Sequence, residues 1–366
     1  MRQVRVSLPA APPRGYDILI EEGLLARAPG MIAALPGPAS GEPCVLVCDK
    51  TVEGLYGGAF HEGLTRAGVR ADIAVIPPGE KAKTLAFAER LLEAFAGAGL
   101  TRKGLVIALG GGVTGDLAGF AAGVYMRGTA FVQVPTTLLA QVDSSVGGKT
   151  GVNLGPRKNY CGVFVQPLAV YADPRTLSSL PEDEYRSGLA EAAKYGIMAD
   201  AVLFDFLDEN AAAVLGRDMG ALTHIVERCL SIKARIVAAD ERESGPRMLL
   251  NYGHTFGHAF ESLSGYALSH GEAVALGMRA AARLAASMGM CPKGEAARQE
   301  ALLDRLGLGL SRPRLSAAQA HAAMARDKKA TARGLPFILP RSTGRAEIVR
   351  DVSPKLAMAA LEGLLS

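Results

Sequence analysis

The chain has 366 residues, and 40 Lys and Arg against 36 Asp and Glu give a formal net charge of +4. This mixed charge, together with 49% hydrophobic residues, predicts a globular protein and excludes a disordered chain or a polycationic nucleic-acid-binding arm. The absence of Trp and the 5% aromatic content leave few side chains on which single-stranded bases could stack.

The amino-terminal residues and the cysteines bear on where the protein works. The first residues are charged but lack the apolar run of about seven to fifteen residues that a secretory signal requires. No apolar run approaches the roughly 18 residues that would span a bilayer. The five cysteines are scattered and none forms a CxxC pair. We therefore expect a soluble cytoplasmic protein with reduced cysteines and no membrane partner.

The first half of the chain alternates short apolar runs with amphipathic segments. Strands are predicted over Pro43 to Asp49, Ala71 to Pro77, Leu105 to Leu109 and Phe131 to Val134. Helices are predicted between them, over Val52 to Ala67, Thr84 to Gly97 and Asp116 to Met126. This alternation is typical of an α/β fold, in which a Rossmann-like parallel sheet is covered by helices and binds ligands at the carboxyl ends of its strands.

After Asp173 the strand-like runs stop and helical patterns dominate. Ser179 and Glu182 fit a capping box that would begin a new helix. Only Leu335 to Leu339 and Glu347 to Val349 are predicted to be extended. We therefore expect two domains, an α/β domain over residues 1–174 and a mostly α-helical domain over residues 175–366. The predicted helices cover Ser187 to Ile197, Leu222 to Ala239, Gly253 to Leu263, Gly271 to Met288 and Lys293 to Leu306.

A glycine-rich segment follows the third predicted strand. Gly110, Gly112 and Gly115 satisfy G-x-G-x-x-G between that strand and a helix, where glycines let the backbone approach a pyrophosphate. The pattern favours a dinucleotide site over a merely tight turn. No acid stands about 20 residues downstream at a strand end, as an ordinary Rossmann site requires, so Asp49 is the alternative partner for a ribose.

Gly148, Lys149 and Thr150 have the ending of a phosphate-binding P-loop. The first glycine of G-x-x-x-x-G-K-[ST] would stand where this chain has Asp143. A P-loop NTPase is therefore rejected, and the acid and the lysine remain as candidates for binding a phosphorylated substrate.

Three of the six histidines, His254, His258 and His270, fall close together. A helix would place the first two on one face, but Thr255 stands where a zincin has its catalytic Glu. The cluster favours a catalytic divalent metal, for which imidazole and carboxylate are suitable ligands. Glu191, in the Ala-rich segment LAEAAKYG, is the best local candidate for a further ligand.

Several basic side chains stand beside Gly, Asn or His rather than on amphipathic helix faces. The net charge is too small for a polyanionic partner, so these residues favour a small anionic substrate over nucleic acid. They are Lys149, Arg157, Lys158, Lys194, Lys233, Arg247, Lys328 and Lys329.

Further strings run in order along most of the chain, among them PPGEKAKT (77–84), GGGVTGDLAGFAAGVYMRG (110–128), GLAEAAKYG (188–196), SHGEAV (269–274) and ARDKK (325–329). With the motifs above, they resemble the 3-dehydroquinate synthase family of sugar phosphate cyclases. The resemblance implies an amino-terminal NAD-binding α/β domain, a helical metal-binding domain and an active site in the cleft between them.

The resemblance also implies the cofactors and the site residues. The cofactors would be NAD and Zn²⁺, or Co²⁺ in its place, with the metal held by Glu191, His254 and His270. The catalytic residues would be Asp143, Lys149, Asn159, Lys194, Lys233 and His258. The substrate would be bound by Arg127, Arg247, Asn251 and Lys328. The NAD contacts would be Asp49, Gly79, Glu80, Lys83, Gly112, Val113, Thr114, Gly115, Asp116, Thr136, Thr137, Lys149, Lys158, Thr176 and Leu177.

The reaction implied belongs to the shikimate pathway and converts 3-deoxy-D-arabino-heptulosonate 7-phosphate to 3-dehydroquinate and phosphate. Transient oxidation by NAD⁺, phosphate elimination, reduction, ring opening and aldol closure follow one another. Arg247 would bind the substrate carboxylate, and Arg127 would reach the partner subunit of a homodimer. Ala192 and Ala193 replace the bulkier aliphatic residues common in the family, and Cys161 stands where an aliphatic residue is usual. We expect both departures to alter packing only.

Three alternatives stay open at this stage. Another sugar phosphate cyclase, such as one acting on the amino analogue, would share the fold, metal and NAD chemistry. A metal-dependent glycerol or alcohol dehydrogenase would share the architecture but need no phosphate-binding lysines. A non-catalytic NAD- or metal-binding module would be expected only if a ligand or acid-base position were lost.

Overall fold

A computed structural model describes residues 15–155, 157–265, 267–309, 316–324 and 335–365 of the chain. Its first part contains a six-stranded sheet in the order β1-β8-β5-β4-β2-β3, and every pairing in it is parallel. Two further strands, β6 and β7, form a separate antiparallel hairpin. The bounds are β1 (Asp17–Ile20), β2 (Cys44–Asp49), β3 (Ala71–Ile76), β4 (Leu105–Gly110), β5 (Ala130–Pro135), β6 (Lys149–Leu154), β7 (Arg157–Phe164) and β8 (Ala169–Ala172).

Helices cover both faces of the sheet, and alternate side chains of its strands supply the two cores. Leu46 and Ile107 pack with helices on one face, whereas Val47 and Val106 pack on the other. Period-two alternation of this kind is what a strand buried on both faces requires. The predicted α/β class is therefore confirmed. The helices are α1 (Leu24–Ala33) and α3 (Gly58–Arg66) on the first face, α4 (Leu85–Gly97) and α5 (Gly112–Val124) on the second, with the short α2 (Lys50–Val52) leading into α3.

The rest of the chain is mostly helical, as predicted. A two-stranded antiparallel ribbon falls where the two extended segments were expected. The elements are α6 (Glu182–Ala199), α7 (Ala201–Glu209), α8 (Ala211–Leu215), α9 (Met219–Ala239), α10 (His254–Leu263), α11 (His270–Ser287), α12 (Lys293–Arg305), α13 (Ala317–Met324), β9 (Phe337–Ser342), β10 (Arg345–Val349) and α14 (Pro354–Leu365).

Glycine allows α10 and α11 to cross almost in backbone contact. A Cβ atom added at Gly277 would lie 1.9 Å from the carbonyl oxygen of Gly253, the residue that precedes α10. No side chain larger than hydrogen fits at that distance. This close crossing places the amino terminus of α10 against α11, which positions the histidines described below.

The structure corrects several local predictions. Ser179 lies in a turn of 3-10 helix, where its hydroxyl donates to the Thr176 carbonyl, and α6 begins after Pro181 without a side-chain cap, so the predicted capping box there is wrong. A capping box does form at Ser269 and Glu272, at the start of α11. Strands β1 and β8 and the β6–β7 hairpin were not predicted, because they are short or rich in Gly and polar residues.

Within the described residues, none of the helices is long and apolar enough to cross a membrane.

Candidate active site

Three predicted metal ligands meet near the crossing of α10 and α11. His254 and His270 are the first residues of these helices, and Glu191 lies in the middle of α6. Their ligand atoms all lie within 4.8 Å of one another. Nε2 of His254 is 3.5 Å from Glu191 Oε1, and Nε2 of His270 is 3.4 Å from the same oxygen. Residues far apart in the sequence thus form one candidate metal site.

The surroundings of Glu191 fit a divalent cation. Its side chain is fully buried, and within the described structure neither of its oxygens accepts a hydrogen bond of ordinary geometry, although Lys194 Nζ lies against Oε2. Burial lowers the pKa of His270, but Glu191 and Glu261 outweigh that effect and raise the pKa to about 9. Without a metal, a proton on His270 therefore supplies the positive charge that this site favours. One carboxylate and two imidazoles are a usual donor set for Zn²⁺ or Co²⁺.

Hydrogen bonds outside the triad orient its histidines. Nδ1 of His254 lies 3.1 Å from the Tyr252 carbonyl oxygen, to which it can only donate, so Nε2 is the ring nitrogen that would bind a metal. The Ser269–Glu272 capping box fixes the backbone at His270. The ring of His258 packs edge-on against His254, with centroids 5.4 Å apart. His258 is thus a neighbour of the triad.

A second carboxylate, Glu261, stands behind His270. It lies seven residues after His254 on α10, and with His258 it occupies the same face of that helix. Its Oε2 is 3.7 Å from Nδ1 of His270, and its Oε1 accepts a 2.7 Å hydrogen bond from Lys158 Nζ on β7. Burial raises its pKa, but His270 and Lys158 bring the value down to about 2.

Asp143 holds two predicted catalytic lysines in place. Lys194 Nζ donates to its Oδ2 over 3.1 Å, and Lys233 Nζ contacts both its Oδ1 and its carbonyl oxygen. The Tyr195 hydroxyl donates to Oδ1 over 3.2 Å. Lys194 also touches Glu191, so this cluster is continuous with the metal site.

The charges in this cluster are mutually dependent. Burial disfavours the Asp143 carboxylate, yet Lys194 and Lys233 lower its pKa well below the usual range. Burial likewise lowers the pKa of Lys194, but Asp143 and Glu191 raise it above its ordinary value. For Lys233 burial dominates and lowers the pKa, against the opposing effect of Asp143. Two carboxylates balance two ammonium groups here, so a bound divalent cation would make the cluster positive and attractive to an anionic substrate.

The loop Asp240–Gly245 contacts three predicted substrate-binding groups. Glu243 pairs with Lys149 Nζ and accepts a 2.6 Å hydrogen bond from Asn251 Nδ2. Arg247 is buried, with one guanidinium nitrogen on the Glu241 carbonyl and another 2.8 Å from the Gly147 carbonyl. Arg247 therefore connects this loop to the segment that leads into Lys149. Because Lys149 begins strand β6 rather than a helix, the segment is not a P-loop.

Most of the predicted dinucleotide residues lie at the carboxyl edge of the parallel sheet, whereas Lys149 and Lys158 lie on the β6–β7 hairpin. Asp49 ends β2, caps α2 through Thr51 and Val52, and accepts a 3.3 Å hydrogen bond from the Thr114 hydroxyl. Lys83 is buried and pairs with Asp116. The chain order reverses between neighbouring strands β2 and β4, which is where open parallel sheets bind ligands. The remaining predicted contacts at this edge are Gly79, Glu80, Gly112, Val113, Gly115, Thr136, Thr137, Thr176 and Leu177.

The glycine-rich turn also serves packing. Helix α5 begins at Gly112, four residues before its predicted start at Asp116. A Cβ at Gly115 would lie 2.6 Å from Gln133 Oε1 on β5, so this glycine lets the helix pack closely on the sheet.

Two other predicted residues, Arg127 and Asn159, have left-handed backbone conformations. Arg127 follows α5 in a left-handed backbone conformation with φ of 67°. Asn159 lies on β7, also left-handed, and its backbone amide donates to Asn153. Lys328 falls outside the described residues.

Sequence reasoning missed four residues of the site, namely Tyr195, Glu243, Glu261 and Tyr16, whose hydroxyl accepts from the Gly147 amide. Glu261 carried a usable signal, since an acid seven residues after His254 falls on the histidine face of a helix. Tyr16 carried none, because only the fold brings it to Gly147. The catalytic, substrate and NAD roles of the named residues stay predictions.

Comparisons with known proteins agree with this site. Family models described as 3-dehydroquinate synthase N-terminal and C-terminal match residues 73–187 and 188–330. A 3-dehydroquinate synthase from Desulforamulus reducens is 46% identical over 350 residues, which are 95% of this chain and 97% of that protein.

Solved structures show the same likeness. A 2-epi-5-epi-valiolone synthase from Streptomyces hygroscopicus subsp. jinggangensis, with NAD⁺ and Zn²⁺ bound, is 31% identical, and the match covers 98% of this chain and 99% of that chain with a TM-score of 0.90. A 2-deoxy-scyllo-inosose synthase complexed with carbaglucose-6-phosphate, NAD⁺ and Co²⁺ is 26% identical, and the match covers 94% and 96% with a TM-score of 0.86. The chain belongs to the 3-dehydroquinate synthase family.

Proposed function

We propose that the chain converts 3-deoxy-D-arabino-heptulosonate 7-phosphate to 3-dehydroquinate and phosphate, with NAD and a divalent metal, Zn²⁺ or Co²⁺, as cofactors. The observation that carries this proposal is the continuity of two clusters, since Lys194 touches both Glu191 of the metal triad and Asp143. One site could therefore activate a substrate hydroxyl through the metal and stabilise a phosphate leaving group through the lysines. The full-length likeness to 3-dehydroquinate synthases supports the choice of substrate.

The residues of this chain have distinct tasks in such a reaction. When bound, NAD⁺ accepts a hydride from the substrate and later returns it, and the divalent ion acidifies the hydroxyl that it binds. Asp143 keeps Lys194 and Lys233 charged and fixes their ammonium groups. Such buried, preorganised cations stabilise the charge that develops during phosphate elimination.

Substrate binding would rearrange the loop contacts. Lys149 and Asn251 are engaged by Glu243, and an anionic substrate group would compete with that carboxylate for them. Arg247, whose planar guanidinium suits a carboxylate, would bind the substrate acid. Lys328 would join this set, and Asp49 and Lys83 would contact NAD at the sheet edge.

The test is phosphate release from the heptulosonate phosphate by purified protein, with NAD⁺ and Zn²⁺ added and then omitted, while NADH is monitored. We expect release that needs both additions, 3-dehydroquinate as product and no lasting NADH. A Glu191→Gln variant should lose phosphate release while it still binds NAD⁺. Lasting NADH from glycerol or a simple alcohol, without phosphate release, would contradict the proposal and favour a dehydrogenase.

We further propose the division at residues 174 and 175, a homodimer and a cytoplasmic location. The division is supported by β8 ending at Ala172, after which helices dominate.

The dimer is supported by exposed apolar side chains at the end of α5 and on the neighbouring β7, namely Val124, Met126, Tyr160 and Phe164. The location is supported by the five free cysteines. Sedimentation analysis that finds only monomers at micromolar concentration would contradict the dimer.

A further inference from the structure

Glu261 is a buried carboxylate whose two oxygens face partners from different parts of the fold. It is 5% exposed and lies on α10. Oε1 accepts the 2.7 Å hydrogen bond from Lys158 of the β6–β7 hairpin, and Oε2 lies 3.7 Å from Nδ1 of His270 on α11. A buried carboxylate is stable only with such partners, so its position depends on both.

His270 uses its two ring nitrogens for two different neighbours. Its Nε2 faces Glu191 Oε1 at 3.4 Å within the metal triad, and its Nδ1 faces Glu261. The partner on the far nitrogen of a metal-binding histidine fixes the ring orientation and its tautomer. A metal held by Nε2 would therefore order His270 and, through Nδ1, the Glu261 carboxylate.

Lys158 is the third member of this chain of contacts. Its side chain is one-third exposed and leaves β7 to reach Glu261. The hairpin that carries it also touches the predicted NAD segment, since Asn153 of β6 donates to Glu80 over 2.7 Å and its amide donates to the Lys83 carbonyl over 2.8 Å. An ordered Glu261 thus holds a lysine on the element that borders the dinucleotide edge.

We infer that Glu261 is a positioning residue that ties the metal ligand His270 to Lys158 and so couples metal binding to NAD binding. The inference rests on the proposed function for the roles of the metal and NAD. Coupling of this kind is reciprocal, so Zn²⁺ tightens NAD⁺ binding by the same factor by which NAD⁺ tightens Zn²⁺ binding.

The experiment titrates Zn²⁺ with and without NAD⁺, and NAD⁺ with and without Zn²⁺, by calorimetry on the full chain. We expect a several-fold coupling factor in the unaltered protein. Glu261→Gln should weaken Zn²⁺ binding by about 10-fold or more and bring the coupling factor to about one. It should also shift the visible absorption of the Co²⁺-loaded protein. The matched control, Glu300→Gln, removes a carboxylate of α12 that pairs with Arg283 of α11, and it should change neither quantity.

Two further variants separate positioning from folding. Glu261→Asp keeps the charge and should recover part of the Zn²⁺ affinity, whereas Lys158→Gln should abolish the coupling and weaken Zn²⁺ binding less than Glu261→Gln does. A coupling factor in Glu261→Gln equal to that of the unaltered protein would overturn the inference. Failure of the unaltered protein to bind Zn²⁺ or NAD⁺ at all would instead overturn the proposed function, and the inference with it.

Discussion

Asp143→Asn tests the electrostatic account of the lysine cluster. The substitution preserves the size of the side chain but removes the negative charge that Lys194 and Lys233 share. The two lysines are 1% and 5% exposed, so water would not replace the lost charge. Lys194 would keep its contact with Glu191. Removing one partner of a buried ion pair costs about 3 to 5 kcal/mol of unfolding free energy.

That loss translates into a measurable melting temperature. An unfolding entropy of about 2.1 cal/mol/K per residue gives about 0.8 kcal/mol/K for this chain, so the expected decrease is about 4 to 6 °C at pH 7. The assay is thermal unfolding of metal-free protein followed by circular dichroism. The matched control is Asp200→Asn, because Arg228, its partner, is 37% exposed and such pairs contribute about 1 kcal/mol or less.

The pH dependence gives the reasoning a second test. Burial already lowers the pKa of Lys233, and loss of Asp143 would lower it further. A lysine whose folded-state pKa lies below its unfolded value makes stability rise with pH between those two values, because the unfolded chain binds more protons. The deficit of Asp143→Asn should therefore shrink from pH 7 to pH 9.5. A variant that melts within 1 °C of the unaltered protein, or whose deficit grows at alkaline pH, would refute this account.

Three further predictions concern the helix crossing, the metal ligands and the tyrosine on Asp143. Gly277→Ala should abolish Zn²⁺ binding and destabilise the fold by more than about 3 kcal/mol, because its Cβ would lie 1.9 Å from the Gly253 carbonyl oxygen. The control is Gly294→Ala, whose Cβ would have open space around it. In the same thermal-unfolding and zinc-content measurements it should be neutral or slightly stabilising. His254→Asn should lose bound zinc whereas His258→Asn keeps it, and equal zinc contents in the two variants would contradict the triad. Tyr195→Phe should cost about 1.5 to 3 kcal/mol of unfolding free energy through loss of its hydrogen bond to the charged Asp143, and an unchanged denaturation midpoint would show that this bond contributes nothing.

Elements with long, regular patterns were predictable from the sequence. β2, β4 and β5 were predicted close to their true bounds because they are apolar runs, buried on both faces. The Ala-rich and Leu-rich helices of the second half were predicted for the analogous reason. β1 was not predicted because its four residues are too few to show an alternation of apolar and polar side chains. The β6–β7 hairpin was not predicted because Gly and Asn within β6 interrupt that alternation.

Within the site, the sequence by itself determined the chemistry of the side chains. The histidine cluster, an acid within an Ala-rich helix and the lysines beside glycines follow from residue type and spacing, and the ordered motifs added the family and its cofactors. Such signals depend on which groups are present, and they are independent of how far apart the fold will place them.

Only the tertiary structure decided which of these groups meet. Glu191 and His270 are 3.4 Å apart because α6 packs on α11, and Asp143 holds Lys194 and Lys233 because α6 and α9 both contact the helical turn Ala140–Ser144 that carries it. The bridge from His270 through Glu261 to Lys158 joins two helices to a hairpin that was not predicted at all. Contacts of this kind depend on how helices cross and strands pair, which a one-dimensional pattern of residue types does not encode.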